Sequence, residues 1–442
     1  MAKATTANTI YSPRYRNYAL AILFIGYVVN FIDRSILSIL LEPIKQELLL
    51  SDTELGLLGG LAFAMFYATL GIPIASLADR WSRTKVLAIS MIIWSAMTAL
   101  CGAANNFLML LLARIGVGVG EAGASPPSHS LISDYFPVEK RATALSIYAL
   151  GIPFGSMIGN FVGGWGAAEL GWRMTFLLVG LPGIFVAGII LTTLREPPRG
   201  MSESAAVKAA AAKNDEPAPA LKEVFKFLWQ RKSFRHLGFA AGLHAFVGYG
   251  AGVWNAPFLI RSHEMPITEV GSWLAIISGI GAIGTFGGGY LADKLSDWTD
   301  DRRWYLWIAG ISTLVMVPFQ FTAYLYDGIW TVIPALAVVS ILGGMYLGPS
   351  FAMTQALVTL RMRAVASALL LFMLNIIGMG LGPYFVGIAS DLLNPSFEIH
   401  SLRYALCLCV LANLWAAVHY FLGATTLRED LESTEVLMTQ HS

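Results

Sequence analysis

Charged residues are scarce in this sequence, and their scarcity excludes the usual soluble fold classes. Asp, Glu, Lys and Arg make up 13% of its 442 residues, whereas soluble globular chains carry about 25%. Hydrophobic residues reach 56%, and the mean hydropathy is +0.63. Such a composition is typical of a membrane protein. The formal net charge of +1 provides no overall field for nucleic acid, so we expect no nucleic-acid partner.

The sequence also lacks several motifs, and their absence excludes further classes of function. The three cysteines, Cys101, Cys407 and Cys409, lie in apolar stretches and are interpreted as small buried hydrophobic residues, not as disulfides or metal ligands. The polar N-terminal stretch has no apolar core before a cleavage site, so we expect no secretory signal peptide. The sequence has no Ser/His/Asp cluster, metal-ligand cluster or G-x-x-x-x-G-K-[ST] loop. We therefore expect no enzyme, cofactor, metal site or ATP-driven pump.

Long apolar runs, by contrast, are abundant. A helix needs about 20 apolar residues to cross a bilayer. Twelve runs of this kind occur in the sequence, at residues 17–41, 53–77, 84–104, 106–130, 142–167, 172–194, 235–260, 269–292, 303–324, 329–356, 364–390 and 402–423. We expect an all-α membrane protein with twelve transmembrane helices in two pseudo-symmetric six-helix halves. The expected domains are residues 1–195, a cytoplasmic linker at 196–234, and residues 235–442.

The placement of basic residues predicts the orientation. Of the 29 Lys and Arg residues, 23 fall in segments on one side of the predicted helices and four fall on the other side. Basic residues collect on the cytoplasmic side of membrane proteins, so we expect both termini and the linker to be cytoplasmic. Within the linker, Leu221 to Trp229 has the apolar spacing of a helix that lies along the membrane surface.

A short motif recurs in the two predicted halves. "ASLADRWS" (75–82) and "GYLADKLS" (289–296) lie 214 residues apart, each at the cytoplasmic end of the second run of its half. Parallel repeats are typical of transporters that bind substrate between their halves. A single copy would be explained by a solvated loop, whereas two matching copies favour function. We expect a tight cytoplasmic turn at each copy of the motif, and the candidate gating residues there are Asp79, Arg80, Arg83, Asp293 and Lys294.

These stretches resemble a known family. "GIPIASLADRWSRTK" resembles the signature loop of the major facilitator superfamily, although Ala75 and Ser82 stand where glycine is usual, and Thr84 where a basic residue is common. In that family the loop braces the cytoplasmic side when the protein faces outward, which implies that role for Asp79, Arg80 and Arg83.

Within the superfamily, three stretches resemble the Spinster branch: "NFIDRSILSILLEPIKQELLLSDTELGLLGG", "ARIGVGVGEAGASPPSHSLISDYFP" and "GWRMTFLLVGLPG". Eukaryotic Spinster proteins export lipids such as sphingosine-1-phosphate or lysophospholipids. The compact tails look more like those of a bacterial member, for which the family does not fix the substrate. The resemblance covers the whole chain and implies a lipid-like or amphipathic substrate.

Four charged residues lie deep inside predicted helices: Asp33 and Arg34 in the first run, and Arg114 and Glu121 in the fourth. Charges inside a bilayer cost at least about 2.5–3.5 kcal/mol each, so they face a cavity or a partner. At about 1.5 Å per residue, the depths of Asp33 and Arg114 overlap. We therefore expect Arg114 near Asp33, with Glu121 closer to the cytoplasm. Two structural salt bridges are the alternative, but buried ion pairs stabilise weakly.

An Asp or Glu beside a movable arginine can load and release a proton, because the arginine favours the ionised form. Our hypothesis is that Asp33 and Glu121 couple transport to protons. Arg34 and Arg114 would pair with these charges or bind an anionic substrate group. Tyr27 and Asn30 share the polar face of the first helix with Arg34, so they are further candidates for substrate contact.

Several alternatives stay open at this stage. A proton-driven multidrug or other small-molecule exporter is the main one, and a channel or a membrane enzyme is less favoured. The polar residues of the second half are interpreted as satisfied interhelical hydrogen bonds; they are His244, Trp254, Asn255, Gln320, Tyr346, Gln355 and Asn375. We expect a monomer in the cell membrane whose partners are a small amphipathic or lipid substrate, protons and the bilayer. Pro126 and Pro127 are expected to kink or end the fourth helix.

Overall fold

The computed structural model describes residues 11–202 and 221–440, except for the side chains at 79, 138, 139, 142, 360 and 437–440. Within these ranges the regular elements are all helical, and no strand occurs. An all-helical chain satisfies its backbone hydrogen bonds internally, as a bilayer requires.

The first part of the chain, before the segment at 203–220, forms nine α-helices. They are α1 (Pro13–Leu48), α2 (Asp52–Gly56), α3 (Ala62–Arg80), α4 (Arg83–Cys101), α5 (Phe107–Glu121), α6 (Ser125–Tyr135), α7 (Val138–Ala149), α8 (Gly151–Glu169) and α9 (Gly171–Thr193). A π-helical turn at Leu57–Leu61 joins α2 to α3. Such turns insert one residue into a helix and often occur at functional sites.

The second part of the chain forms a further nine α-helices. They are α10 (Leu221–Gln230), α11 (Lys232–His263), α12 (Ile267–Thr299), α13 (Trp304–Leu325), α14 (Ile329–Gly344), α15 (Leu347–Ala356), α16 (Arg363–Met373), α17 (Gly382–Phe397) and α18 (Ser401–Gln440). A second π-helical segment, Leu374–Leu381, joins α16 to α17. Short 3₁₀ turns at Leu360–Met362 and Glu398–His400 precede α16 and α18.

Ten helical segments in the described residues are long and apolar enough to cross a membrane. One of them, Arg363–Val436, contains both of the last two predicted runs. The helix over the seventh predicted run, α11, is not among the ten, and it carries Lys232, Arg235 and Arg261 along its length. The count of twelve transmembrane helices therefore stays a prediction.

The fourth predicted run is broken where its prolines predict. Helix α5 ends at Glu121, and α6 begins at Ser125 with prolines in its first turn. Proline has no backbone N–H to donate to the preceding turn, so the chain bends there. The break makes Glu121 the last residue of α5, which frees its carboxylate from the regular helix surface.

The two copies of the repeated motif differ in structure. The first copy lies in the last turns of α3 and the short connection to α4, where the Ser82 hydroxyl accepts a hydrogen bond from the Lys85 N–H. The second copy lies wholly inside α12, which continues to Thr299 and ends at Asp300 in the left-handed conformation. The expected tight turn is thus correct for the first copy and wrong for the second, because Ser296 lies within α12 and does not begin a new helix.

The contacts divide the chain into two compact units. Unit 1 comprises residues 1–40 and 66–217, and unit 2 comprises residues 41–65 and 218–442. Residues 41–65 therefore pack within the same unit as the C-terminal helices. The domain limits expected from the sequence repeat remain a prediction.

Glycines allow helices in each unit to approach closely. In unit 1, a Cβ atom on Gly155 of α8 would lie 2.6 Å from the Val28 carbonyl oxygen of α1. In unit 2, a Cβ atom on Gly284 of α12 would lie 1.7 Å from the Ile341 carbonyl oxygen of α14. Backbone-to-backbone contact of this kind is how transmembrane helices pack through small residues.

Candidate functional site

The structure brings one pair of the deep charges into direct contact within unit 1. The Nε atom of Arg34 on α1 donates a hydrogen bond to Oε2 of Glu121 at the end of α5, at 2.6 Å. The Glu121 side chain is fully buried, and that of Arg34 is 18% exposed. A charge-assisted bond of this geometry fixes both side chains.

Asp33 lies next to this pair but has different neighbours. It is fully buried, and its carboxylate accepts a hydrogen bond from the Thr98 hydroxyl of α4 at 3.2 Å. Arg114 and Glu121 lie close enough to act on its charge, and Arg114 acts on Glu121 as well. Asp33, Arg34, Arg114 and Glu121 thus form one group, which we name the central charge set.

Aromatic rings surround the arginine of this set. The Arg34 guanidinium lies 5.1 Å from the centre of the Phe31 ring and 4.6 Å from that of Tyr67. Such distances permit cation–π attraction. Tyr27, one turn below Phe31, stacks on Tyr148 of α7 with ring centres 4.2 Å apart. The surroundings of Arg34 therefore combine aromatic rings with the Glu121 carboxylate.

Asn30 completes the polar face of α1. Its side chain is buried and lies beside Glu121. The set therefore holds two carboxylates and two arginines in a water-poor region where electrostatic interactions are strong. A proton added to Glu121 would release Arg34, and an anion bound by Arg34 would release Glu121. Proton binding and anion binding therefore favour each other in this arrangement.

The first copy of the repeated motif forms an ion-pair cluster in unit 1. The buried Arg83 guanidinium binds the carboxylates of Asp134 on α6 and Glu196 after α9, the latter at 2.7 Å. Glu196 also accepts a hydrogen bond from the Thr84 N–H at 3.0 Å, so it caps α4. We name Arg83, Asp134 and Glu196 the inner cluster. Arg80 is exposed, and the side chain of Asp79 lies outside the described residues.

We expect Arg83→Ala to lower the thermal stability of the purified protein strongly. Removal of one partner from a buried ion pair costs about 3–5 kcal/mol, because the other charge stays buried. A thermal unfolding scan in detergent measures the effect. Arg80→Ala is the control: because Arg80 is exposed in the same motif, its unfolding midpoint should match the wild type. Equal midpoints for both variants would contradict a bracing role for the inner cluster.

The second copy of the motif has smaller interactions of its own. The Tyr305 hydroxyl donates a hydrogen bond to the Asp293 carboxylate at 2.6 Å, and the Lys294 ammonium lies 5.8 Å from the Tyr290 ring centre. The stronger cluster lies just beyond, after α12, where Arg303 and Arg428 both bind Asp301 at 2.8 Å. The hydrogen bonds from Arg303 lower the pKa of Asp301 to about 2.

We expect Asp301→Asn to lower the unfolding midpoint at pH 7. A carboxyl group whose pKa is lowered by folding stabilises the protein above its unfolded pKa of about 3.9. That contribution falls as the pH drops towards about 2, so the difference from wild type should shrink below about pH 4. Unfolding scans between pH 3 and 8 measure this, with the exposed Asp297→Asn as the control. A difference independent of pH would contradict the ion-pair explanation.

A third charged cluster lies in unit 2, on the predicted outer side. Arg261 at the end of α11 binds Oε2 of Glu42 at 2.6 Å and the two oxygens of Asp52 at 2.7 and 3.0 Å. Lys45 binds Asp52 from the other side at 2.5 Å. Asp391 of α17 accepts hydrogen bonds from the N–H groups of Asp52 and Thr53, at 3.0 and 2.7 Å. We name Glu42, Lys45, Asp52, Arg261 and Asp391 the outer cluster.

Close backbone packing continues from the outer cluster. A Cβ atom on Gly387 of α17 would lie 2.2 Å from the Asp52 carbonyl oxygen. A Cβ atom on Gly60, in the first π-helical turn, would lie 2.8 Å from the Gly380 carbonyl oxygen in the second π-helical segment. Residues 52–60 therefore meet residues 380–387 with no room for larger side chains.

Sequence reasoning missed the outer cluster and the two acids of the inner cluster. Lys45 and Arg261 were counted only as outer-loop charges, and Glu196 only as the start of a linker. The "SDTE" sequence at 51–54 signals a capped helix start, and the capping box is present, but it says nothing about the distant partners.

The polar residues of the second half behave as interpreted from the sequence. His244 contacts the Thr313 hydroxyl at 2.8 Å, and the Asn413 amide donates to Gln320 at 2.9 Å. The Trp254 indole N–H donates to the Pro383 carbonyl at 2.8 Å. These are hydrogen bonds between helices, so they form no second charge set.

Comparison with known proteins identifies the family. The profile of the Major Facilitator Superfamily matches residues 23–424. The chain belongs to this superfamily. It is 33% identical over 423 residues to an "MFS-type efflux pump" of Mycolicibacterium smegmatis, covering 95% of each chain.

Two further relatives place this superfamily member in the Spinster branch. It is 26% identical to "Protein spinster homolog 3" of Danio rerio, covering 98% of this chain and 90% of the relative. A crystal structure of a bacterial homologue of the human lysosomal transporter Spinster, in an inward-facing and unoccupied conformation, matches with 32% identity and a TM-score of 0.85. That match covers 95% of this chain and 99% of the other. The resemblance expected from the sequence is therefore confirmed.

Membership of the superfamily establishes the general function of the chain, which is transport. Its members are multi-pass membrane transporters of small molecules, and they are not enzymes. The expectation of a small-molecule transporter is therefore confirmed at the level of the family.

Proposed function

We propose that this protein is a proton-coupled secondary transporter that works by alternating access. The observation that carries the proposal is the central charge set, in which Arg34 binds Glu121 at 2.6 Å beside the buried Asp33 and Arg114. Buried ionisable groups in a membrane protein mark ion or proton pathways. We place them in a fold of twelve helices in two halves, with both termini in the cytoplasm of a cell-membrane monomer.

The proposed coupling follows from the pairing of charges. Protonation of Glu121 removes the charge that holds the Arg34 guanidinium. The freed guanidinium binds an anionic substrate group, and loss of the proton restores the pair and displaces the substrate. In the same way, protonation of Asp33 weakens its attraction for Arg114 and frees that arginine for the substrate. Arg34 and Arg114 are the proposed substrate contacts, with Tyr27 and Asn30 beside them on α1.

The proposed substrate is a lipid-like or amphipathic small molecule of the lysophospholipid or sphingolipid type. The rings of Phe31 and Tyr67 around Arg34 support an apolar body next to an anionic group. The Spinster relatives support the same class. The 33% identity to an efflux pump favours a second candidate, the export of amphipathic drugs.

We propose a cytoplasmic gate and an outer gate. For the cytoplasmic gate, the inner cluster lies with Asp79 and Arg80 where α3 ends and α4 begins in unit 1, and Asp293 and Lys294 lie in the last turns of α12 in unit 2. On the outer side, the outer cluster holds residues 42–52 against α11 and α17. Charged clusters of this kind can open and close as units, because losing one partner exposes the others.

Transport in proteoliposomes tests the proposal. Purified protein is reconstituted and given fluorescent lysophosphatidylethanolamine, fluorescent sphingosine-1-phosphate or an amphipathic dye such as ethidium, each with and without an inward proton gradient. We expect saturable movement of at least one lysolipid or sphingoid probe that the gradient accelerates. Gradient-driven movement of the dye alone would favour the drug exporter, and ohmic current without saturation would overturn the transporter.

A further inference from the structure

An exposed row of aromatic rings runs across three helices of unit 2. Phe225 and Trp229 of α10 stack with ring centres 5.4 Å apart, and Trp229 meets Phe239 of α11 at 6.2 Å. Phe239 lies 5.9 Å from the His419 ring of α18, and His419 lies 5.9 Å from Trp415. We name these five residues the aromatic ridge.

The ridge is open to the surroundings, although α10 also has a face that packs inward. Val224 and Leu228 of α10 are buried in the core of unit 2. Leu221, Phe225 and Trp229 follow each other at intervals of four on the neighbouring face and are exposed, as are Phe239 and Trp415. Packing in the core of unit 2 therefore explains the apolar face of α10 that holds Val224 and Leu228. The face that holds Leu221, Phe225 and Trp229 stays exposed in the described part of the chain.

Basic residues flank the ridge at one end. On a helix, Lys222 and Lys226 fall beside Phe225 and Trp229, at about 20–60° further around the axis than Trp229. Both lysines are exposed. On α11, Lys232 and Arg235 precede Phe239 on one face, and Lys232 is exposed. Glu223 is the one acidic residue between 221 and 240, and Asp430 of α18 accepts hydrogen bonds from Ser233. The five basic residues between 222 and 235 outnumber these two carboxylates, so this end of the ridge has an excess of positive charge.

We infer that the ridge and its lysines form a binding site for an anionic glycerophospholipid of the surrounding membrane. Exposed aromatic residues beside lysines are typical of helices that lie in the headgroup region. The phosphate would bind Lys222, Lys226 and Lys232, and an acyl chain would lie along Phe239 and Trp415. The positive charge of the site favours an anionic lipid over a zwitterionic one, because each lysine near the surface adds its own attraction to the anionic headgroup.

The inferred site shares no residue with the central charge set, so it would bind a resident lipid and not the transported substrate. A lipid bound there would also hold α10, the first described helix after residue 220, at the membrane surface. This role is independent of whether the transported substrate is a lipid.

Native mass spectrometry of the delipidated full chain tests the inference, with phosphatidylglycerol and phosphatidylcholine of identical acyl chains as probes. We expect the wild type to prefer phosphatidylglycerol and the double variant Lys222→Gln/Lys226→Gln to lose about tenfold in its affinity for that lipid. Affinity for phosphatidylcholine should not change. Lys222→Arg/Lys226→Arg should keep the wild-type affinity, which separates loss of charge from loss of folding.

Matched controls use exposed residues elsewhere. Lys85→Gln/Lys140→Gln removes two exposed lysines of unit 1 and should leave phosphatidylglycerol binding unchanged. Trp229→Ala should weaken both lipids several-fold, whereas Trp298→Ala, an 81% exposed tryptophan of α12, should weaken neither. Unchanged phosphatidylglycerol affinity in Lys222→Gln/Lys226→Gln, or an equal loss in Lys85→Gln/Lys140→Gln, would overturn the inference.

Discussion

Glu121→Gln is expected to abolish transport driven by a proton gradient. The substitution leaves the shape of the side chain but removes the charge that Arg34 binds at 2.6 Å. The variant side chain can neither take up nor release a proton, so the step in which loss of the proton restores the Arg34 pair is removed. Asp33→Asn should have a loss of similar size, because Asp33 is the second fully buried carboxylate of the set.

The decisive measurement compares two modes of transport in proteoliposomes. Movement of a fluorescent lysolipid under an inward proton gradient should stop in both variants and lose its dependence on pH. Exchange of the same probe at equal pH on both sides should persist, since it needs no net proton movement. This split separates a coupling role from a general loss of folding.

The control for charge removal is Glu169→Gln, an exposed carboxylate at the end of α8. Its gradient-driven transport should equal that of the wild type. If Asp33→Asn and Glu121→Gln both left transport and its pH dependence unchanged, the central charge set would be only structural, and the proposed coupling would be wrong.

Apolar runs predicted the all-helical fold. Runs of about 20 apolar residues locate the helices because the bilayer fixes their length. The depth argument predicts Arg114 beside Asp33, because the rise per residue is nearly constant along a helix, and this placement stays a prediction. The break at Ser125 followed from two prolines whose chemistry is local.

Long-range pairing could not be predicted in the same way. The Asp52 N–H donates a hydrogen bond to Asp391, which lies 339 positions further along the chain. Nothing in either local sequence indicates the other residue. A charge near the end of a run looks the same whether it faces water or a distant arginine. The length of α12 was also missed, because the repeated motif suggested a turn where the backbone remains helical to Thr299.

The inner cluster and the Asp301 cluster suggest a common design in which the positions of the acidic and basic residues are exchanged. In unit 1, Arg83 follows the second helix and binds Glu196, which follows α9. In unit 2, Asp301 follows α12 and binds Arg428 near the end of the chain. Each cluster ties the second helix of a predicted half to the end of its sixth. Halves braced in this way can move as rigid bodies, which is what alternating access requires.

Arg261→Ala is expected to have the second large effect, through the outer cluster. Arg261 binds both Glu42 and Asp52, which are themselves buried. Without the guanidinium, the buried Glu42 and Asp52 would lose the cation that they share, at a cost of about 3–5 kcal/mol. If the cluster is a closed outer gate, that cost shifts the equilibrium towards the open state by a factor of about 100 or more.

Opening of the gate can be measured at Val253. Its side chain packs closely on Gly59, because a Cβ atom on Gly59 would lie only 2.9 Å from it. A Val253→Cys variant, with the half-buried Cys407 changed to Ser, is labelled from outside with an impermeant maleimide. Addition of Arg261→Ala should raise the labelling rate at least about 10-fold and slow transport, since a gate that rarely closes cannot complete the cycle.

The matched control is Arg403→Ala, which removes another arginine of unit 2 from the predicted outer side. Arg403 binds Asp327, an 83% exposed carboxylate, at 2.7 Å, so its loss leaves residues 42–52 in place. Labelling at Val253→Cys should then stay at the starting rate. A labelling rate that Arg261→Ala does not change would mean that the close backbone packing of Gly60 on Gly380 and of Gly387 on Asp52 keeps this side closed without the ion pairs.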